Sequence, residues 1–75
     1  LDFYVPEIRL AIQVCYSLSD IETRRREVHA LLKTAKHLDV DQMMIITKDE
    51  DDLIESDGWS IQVVPVWKWL VSAGC

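Results

Sequence analysis

The chain opens on two stretches in which apolar and polar residues alternate with a period of two, Leu1 to Val5 and Ile8 to Tyr16, separated by Pro6-Glu7. Alternation of this kind marks strands with one buried face, so the pair predicts an antiparallel hairpin. Leu1, Phe3, Val5, Ile8, Leu10, Ile12, Val14 and Tyr16 then share one face, and Asp2, Tyr4, Arg9, Ala11, Gln13 and Cys15 share the other. A proline in the turn cannot take the positive φ of the tightest hairpin turns, which leaves the register open by a residue or two.

The alternation breaks at Ser17-Leu18-Ser19-Asp20. Ser19 with Glu22 forms a capping box and Leu18 can add a hydrophobic staple, so a helix starts here. Ile21, Val28, Leu31, Leu32, Ala35 and Leu38 recur at helical spacing. That stripe predicts a helix of roughly five turns laid against the sheet, ended by Asp39-Val40-Asp41. Met43 to Thr47 is an unbroken apolar run that suits a central strand covered on both faces. The order strand, helix, strand implies parallel pairing through a right-handed crossover. Lys48 to Asp52 reads as a loop, and Asp57-Gly58 between Leu53–Glu55 and Ile61–Val64 is a strong hairpin signal. Pro65 can open a short helix bearing Trp67, Trp69 and Leu70, because its missing N–H is not needed there. The expected architecture is α/β: a mixed sheet of about five short strands, one long helix on one face, and a short C-terminal helix.

Length and charge narrow the field. Residues 1–75 make one domain, a size at which only about 60% of the unfolded chain's surface is buried. With 49% apolar and 28% charged residues the chain reads as a folded segment. No apolar run approaches the roughly 20 residues of a bilayer span, so no membrane partner is expected. A net charge of −5 gives no general attraction to nucleic acid, and DNA contact would need a local basic patch. Cys15 and Cys75 lack the spacing of a zinc site or disulfide framework, so the expected setting is reducing and cytoplasmic. The chain begins at Leu1, already inside a strand pattern and without a signal segment, and so reads as a C-terminal piece of a longer protein.

Leu1-Asp2-Phe3, Ile12-Gln13-Val14-Cys15-Tyr16, Glu22-Thr23-Arg24 through Glu27, Ile46-Thr47 and Val63-Val64-Pro65-Val66-Trp67-Lys68-Trp69-Leu70 occur in this order along nearly the whole chain. Together they resemble the C-terminal domain, of unknown function, of bacterial and archaeal P-loop ATPases of the AAA type. The resemblance implies a core similar to the restriction-endonuclease-like fold, joined to an upstream nucleotide-binding domain. No Walker motif occurs here, so ATP and its Mg²⁺ would belong to that upstream domain and this segment would carry no cofactor.

Nucleases of that fold carry an aspartate on one hairpin strand and a Glu-x-Lys triplet on the next. By resemblance Asp2 matches the aspartate, and Gln13-Val14-Cys15 falls where the triplet would stand. Parity puts Asp2, Gln13 and Cys15 on one face, but their chemistry is poor for Mg²⁺, which wants hard anionic oxygens. A neutral amide and a soft thiol cannot replace a carboxylate and an ammonium. The expectation is a vestigial centre with no metal.

Other constellations are weaker. Arg25, Arg26, His29, Lys33 and Lys36 share a helical face opposite the apolar stripe and are the nucleic-acid contact candidates. Asp20–Arg24 and Glu22–Arg26 at i,i+4 spacing also explain part of that charge as a solvated face. Arg24 falls near the apolar stripe, where its head must reach water or a carboxylate. Asp49 to Asp52 lacks the alternation and glycine of a calcium loop and is expected to be solvated, and His29 and His37 lack further ligands. Trp67 and Trp69 cannot both face inward from a short helix, so one is a candidate to meet the upstream ATPase domain or a second copy. The expected role is that of a non-catalytic accessory or docking domain of a cytoplasmic ATPase, assisting DNA engagement or assembly. A Mg²⁺-dependent nuclease centred on Asp2 and a protein-interaction module acting through the tryptophans are the rivals.

Overall fold

A computed structural model describes residues 1–73; Cys75 lies outside them. Strands β1 (Phe3–Val5) and β2 (Leu10–Val14) form the antiparallel hairpin, with Phe3 opposite Ile12 and Val5 opposite Leu10. A 3-10 turn over Pro6–Ile8 joins them, and the positive φ that proline refuses falls on Arg9 at 52°. Ile8 therefore leaves the apolar face and sits in the turn, half exposed, and Tyr16 lies beyond the strand, mostly exposed. Arg9 is held there by Asp39 and Asp41, each at 3.4 Å, and its carbonyl accepts from the amides of Asp41 and Gln42.

Helix α1 (Ile21–Thr34) is one turn shorter than expected. Its N-cap is Asp20 and not Ser19: the Asp20 carboxylate accepts from the Thr23 amide at 3.1 Å and the Thr23 hydroxyl at 2.9 Å, while Ser19 bonds Ser17. Both residues are able caps, and the one nearer the helix wins by also engaging a hydroxyl. Lys36 and Leu38 fall in the turn after the helix, and Ile21 at its first residue projects into solvent, so only Val28, Leu31, Leu32 and Ala35 of the stripe pack inward.

Strand β3 (Gln42–Thr47) runs parallel to β2 and occupies the centre of the sheet, as the apolar run requires. Strands β4 (Asp52–Ser56) and β5 (Trp59–Pro65) make the second hairpin, closed by Asp57 and Gly58 at φ of 52° and 82°. Positive φ at both central positions is the turn that Asp-Gly favours. β5 runs parallel to β3, giving the order β1-β2-β3-β5-β4. Pro65 is the last strand residue, opposite Thr47, and helix α2 (Val66–Ala73) begins one residue later than expected.

Among the described residues the architecture is thus α/β with a five-stranded mixed sheet and two α-helices. Among the described residues no helix is long and apolar enough to cross a membrane. α1 covers the side of the sheet that bears Ala11 and Gln13, the more polar side of the opening ribbon, where Ala11, Leu31, Ile45, Ile61 and Val63 form the main core. The apolar side of that ribbon faces α2 instead, where Leu10, Ile12 and Ile46 are buried.

Candidate functional site

Asp2, Gln13 and Cys15 lie where β1 and β2 meet the carboxyl end of the parallel strands, but the fold gives each a separate partner. The Asp2 carboxylate accepts from the Val14 amide at 2.7 Å, a donor left free where the hairpin ladder ends. Gln13 is buried beneath α1, and its Nε2 donates to Glu27 Oε1 at 2.8 Å. A carboxylate only accepts, so the amide nitrogen must face it. That leaves Gln13 Oε1 buried with no hydrogen-bond partner among the described residues. The Cys15 thiol donates to the Ser17 carbonyl at 3.3 Å. Burial pushes this thiol above its ordinary range; the Ser17 backbone and Arg26 pull it down and the carboxylates of Glu27 and Glu50 push it up, but burial prevails. Cys15 is therefore protonated near neutral pH.

This donor set does not fit Mg²⁺. Its one carboxylate is engaged by a backbone amide, its amide oxygen is neutral, and its sulfur is soft and protonated. Among the described residues no group of three or more His, Cys, Asp or Glu side chains converges as a metal site.

Two residues at this end were not singled out by sequence pattern. Glu27, the partner of Gln13, stands one turn before Leu31 on the edge of the buried stripe, and its side chain is only 15% exposed. A carboxylate beside an apolar stripe was the available signal, since it must find a donor. Glu50 accepts from the Leu18 amide at 2.7 Å, and the Thr47 hydroxyl engages the Glu50 backbone. The acidic segment is consequently not a simple solvated loop: Asp51 pairs with Lys68 at 2.8 Å and Asp52 with Arg24 at 3.5 Å. Arg24 meets a carboxylate, but one from β4 and not Asp20.

The basic face is partly neutralised on its own helix. Arg25 pairs with Glu22 at 3.5 Å, and Arg26 lies 3.8 Å from Glu27 in place of the expected Glu22. His29 and Lys33 are exposed on α1, whereas Lys36 belongs to the turn beyond it. Arg24, Arg25 and His29 wall a groove whose other side is β4 and the turn after it, where Glu55 and Asp57 supply opposite charge.

The tryptophans divide. Trp59 packs on the α1-side core, Trp69 packs on Leu10, Ile12 and Ile46, and Trp67 is 61% exposed. Beside Trp69 lies a groove of about 320 Å³ walled by Phe3, Ile12, Val14, Ile46 and Val66. Phe3, Val14 and Val66 at this groove, and Trp67 and Leu70 on α2, are exposed apolar side chains. Set against known proteins, the chain matches no family model, no curated protein and no solved structure.

Proposed function

We propose that this chain is a non-catalytic accessory domain of a cytoplasmic AAA-type ATPase, nuclease-like in its core and without ion chemistry of its own. One observation carries the reading: the side chains at all three nuclease-like positions already serve the fold, Asp2 on the Val14 amide, Gln13 on Glu27 and Cys15 on the Ser17 carbonyl. The hairpin followed by a helix and a parallel strand is compatible with the resemblance to restriction-endonuclease-like domains. ATP and Mg²⁺ belong to the upstream domain, and the work left to this one is docking and, through Arg25, Arg26, His29 and Lys33, assistance in engaging DNA.

The test uses the parent protein with labelled DNA and Mg²⁺ or Mn²⁺. The expected result is ATP hydrolysis without DNA cleavage. Cleavage that disappears on Asp2→Ala overturns the non-catalytic part, and a parent sequence without a Walker motif overturns the ATPase part.

One observation favours the nuclease instead. Glu27 sets a second carboxylate 2.8 Å from the Gln13 amide, at the position where the triplet would begin. Metal-dependent cleavage abolished by Glu27→Ala as well as Asp2→Ala would establish that reading.

A further inference from the structure

We infer that the outer edge of β4, with the groove between it and α1, binds an extended basic segment of a partner protein by strand addition. The inference stands on this edge alone and does not depend on the ATPase reading.

The strand order leaves β4 at one end of the sheet, where among the described residues it pairs with β5 alone. Its two-residue turn sets Ser56 opposite Trp59. Hydrogen-bonded pairs alternate from there, so Ile54 and Asp52 also turn their amides and carbonyls toward β5. Leu53 and Glu55 turn theirs outward. The Leu53 amide shows this directly, since it donates to the Asp52 carboxylate at 2.8 Å and not to β5. A row of outward donors and acceptors on extended backbone is complementary to the backbone of another strand.

This edge also has room for the side chains of an added strand. A groove of about 490 Å³ runs between β4 and α1, with Val28, Leu32 and Ile54 in its walls. Side chains of an added antiparallel strand alternate between the two sides of the sheet. The one opposite Ile54 points to the α1 side and enters the groove, where an aliphatic side chain suits those walls. The one opposite Glu55 points to the other side and lies beside the Glu55 carboxylate, at the roughly 4.5–5.5 Å of a cross-strand pair.

Charge selects the occupant. The two arginines of the groove are committed, Arg24 to Asp52 and Arg25 to Glu22, each at 3.5 Å. Glu55 and Asp57 form no ion pair among the described residues, and β4 with its turn carries no basic residue. Two copies meeting edge to edge would line one seam with Asp52, Glu55 and Asp57 from both, and an acidic segment would meet the same repulsion. A lysine opposite Glu55 turns that repulsion into attraction, and the net charge of −5 steers a basic segment toward the chain. The partner is therefore an extended segment in which aliphatic and basic side chains alternate.

Titration of the nitrogen-15-labelled chain with the peptide acetyl-Lys-Val-Lys-Val-Lys-Val-amide, followed by amide cross-peaks, tests the proposal. The expected result is saturable binding with a Kd below about 1 mM and the largest shifts at Leu53, Glu55 and the groove residues of α1. Hydrogen exchange at the Glu55 amide slows on binding. The same peptide with glutamate in place of lysine binds at least tenfold more weakly. Glu55→Lys weakens the lysine peptide at least tenfold, and Glu55→Gln, with a smaller loss, serves if that variant fails to fold. Glu7→Lys makes the same charge change beside the far edge of the sheet and leaves binding unchanged. An absence of saturation, shifts centred away from β4, or equal affinity for the two peptides overturns the proposal. So does movement of the Leu53 and Glu55 cross-peaks with chain concentration alone, which assigns the edge to a second copy.

Discussion

The two sides of this one sheet are built from alternate residues of the same strands, yet they are finished to different degrees. Under α1, Ala11, Leu18, Val28, Leu31, Met43, Ile45, Ile54, Ile61 and Val63 form a continuous cluster, and Leu31, Ile45, Ile61 and Val63 are almost fully inaccessible. Under α2 only Leu10, Ile12 and Ile46 are buried, with Val5, Met44, Val64 and Trp69 partly covered. Cover makes the difference: α1 has 14 residues and α2 has 8, which leaves Phe3 and Val14 of the β1–β2 hairpin exposed beside the shorter helix. One side holds the domain together, and the other keeps apolar surface available for contact.

Substitutions can break or sharpen that contrast. The largest loss is expected for Leu31→Ala, about 3–4 kcal/mol, because the site is sealed and cannot collapse around the cavity. Ile46→Ala on the other side should cost about 2 kcal/mol, since it adjoins an open groove whose walls can move. Denaturant melts of the two variants compare them directly, and equal losses would erase the distinction between the faces.

Gln13→Glu comes next. It sets a second carboxylate against Glu27 in a buried site, and a loss of about 1–2 kcal/mol is expected at neutral pH. Like charges raise a carboxyl pKa, so the loss should be present above that raised value and relieved as the solution is acidified through it. A melting temperature for this variant that is flat with pH would show that the two groups do not face each other.

The smallest effect is expected for Asp20→Ala. The Thr23 hydroxyl, then its amide, hold the Asp20 carboxyl below its usual range. Its contribution is therefore complete above the unfolded carboxylate value and lost as pH falls through the folded one. Wild type and variant should differ slightly near neutrality and converge in strong acid, as followed by thermal melts.

Local features were the legible ones. Asp57-Gly58 specifies its own turn because the two residues that need positive φ are those that tolerate it. The central strand was readable from Met43 to Thr47, since both faces of that strand are covered. The first hairpin was readable as a hairpin but not in its turn, because the left-handed residue is Arg9, held by Asp39 and Asp41 some thirty residues away. At the candidate site, sequence spacing could group Asp2, Gln13 and Cys15, but it could not show that Glu27 and Glu50 reach that end from other elements.

By itself the sequence determined which residues share a strand face, Ile8 and Tyr16 excepted, where the helices lie to within a turn, and that the chain folds as a mixed α/β unit. A period of two and a period of 3.6 are properties of the backbone, so they are written locally. Only the tertiary structure decided which face each helix covers. Alternation is symmetric between the two sides, whereas the side taken by α1 depends on the hand of the β2-α1-β3 crossover and on strand register. Those set Gln13 under a helix and left Phe3 and Val14 in the open.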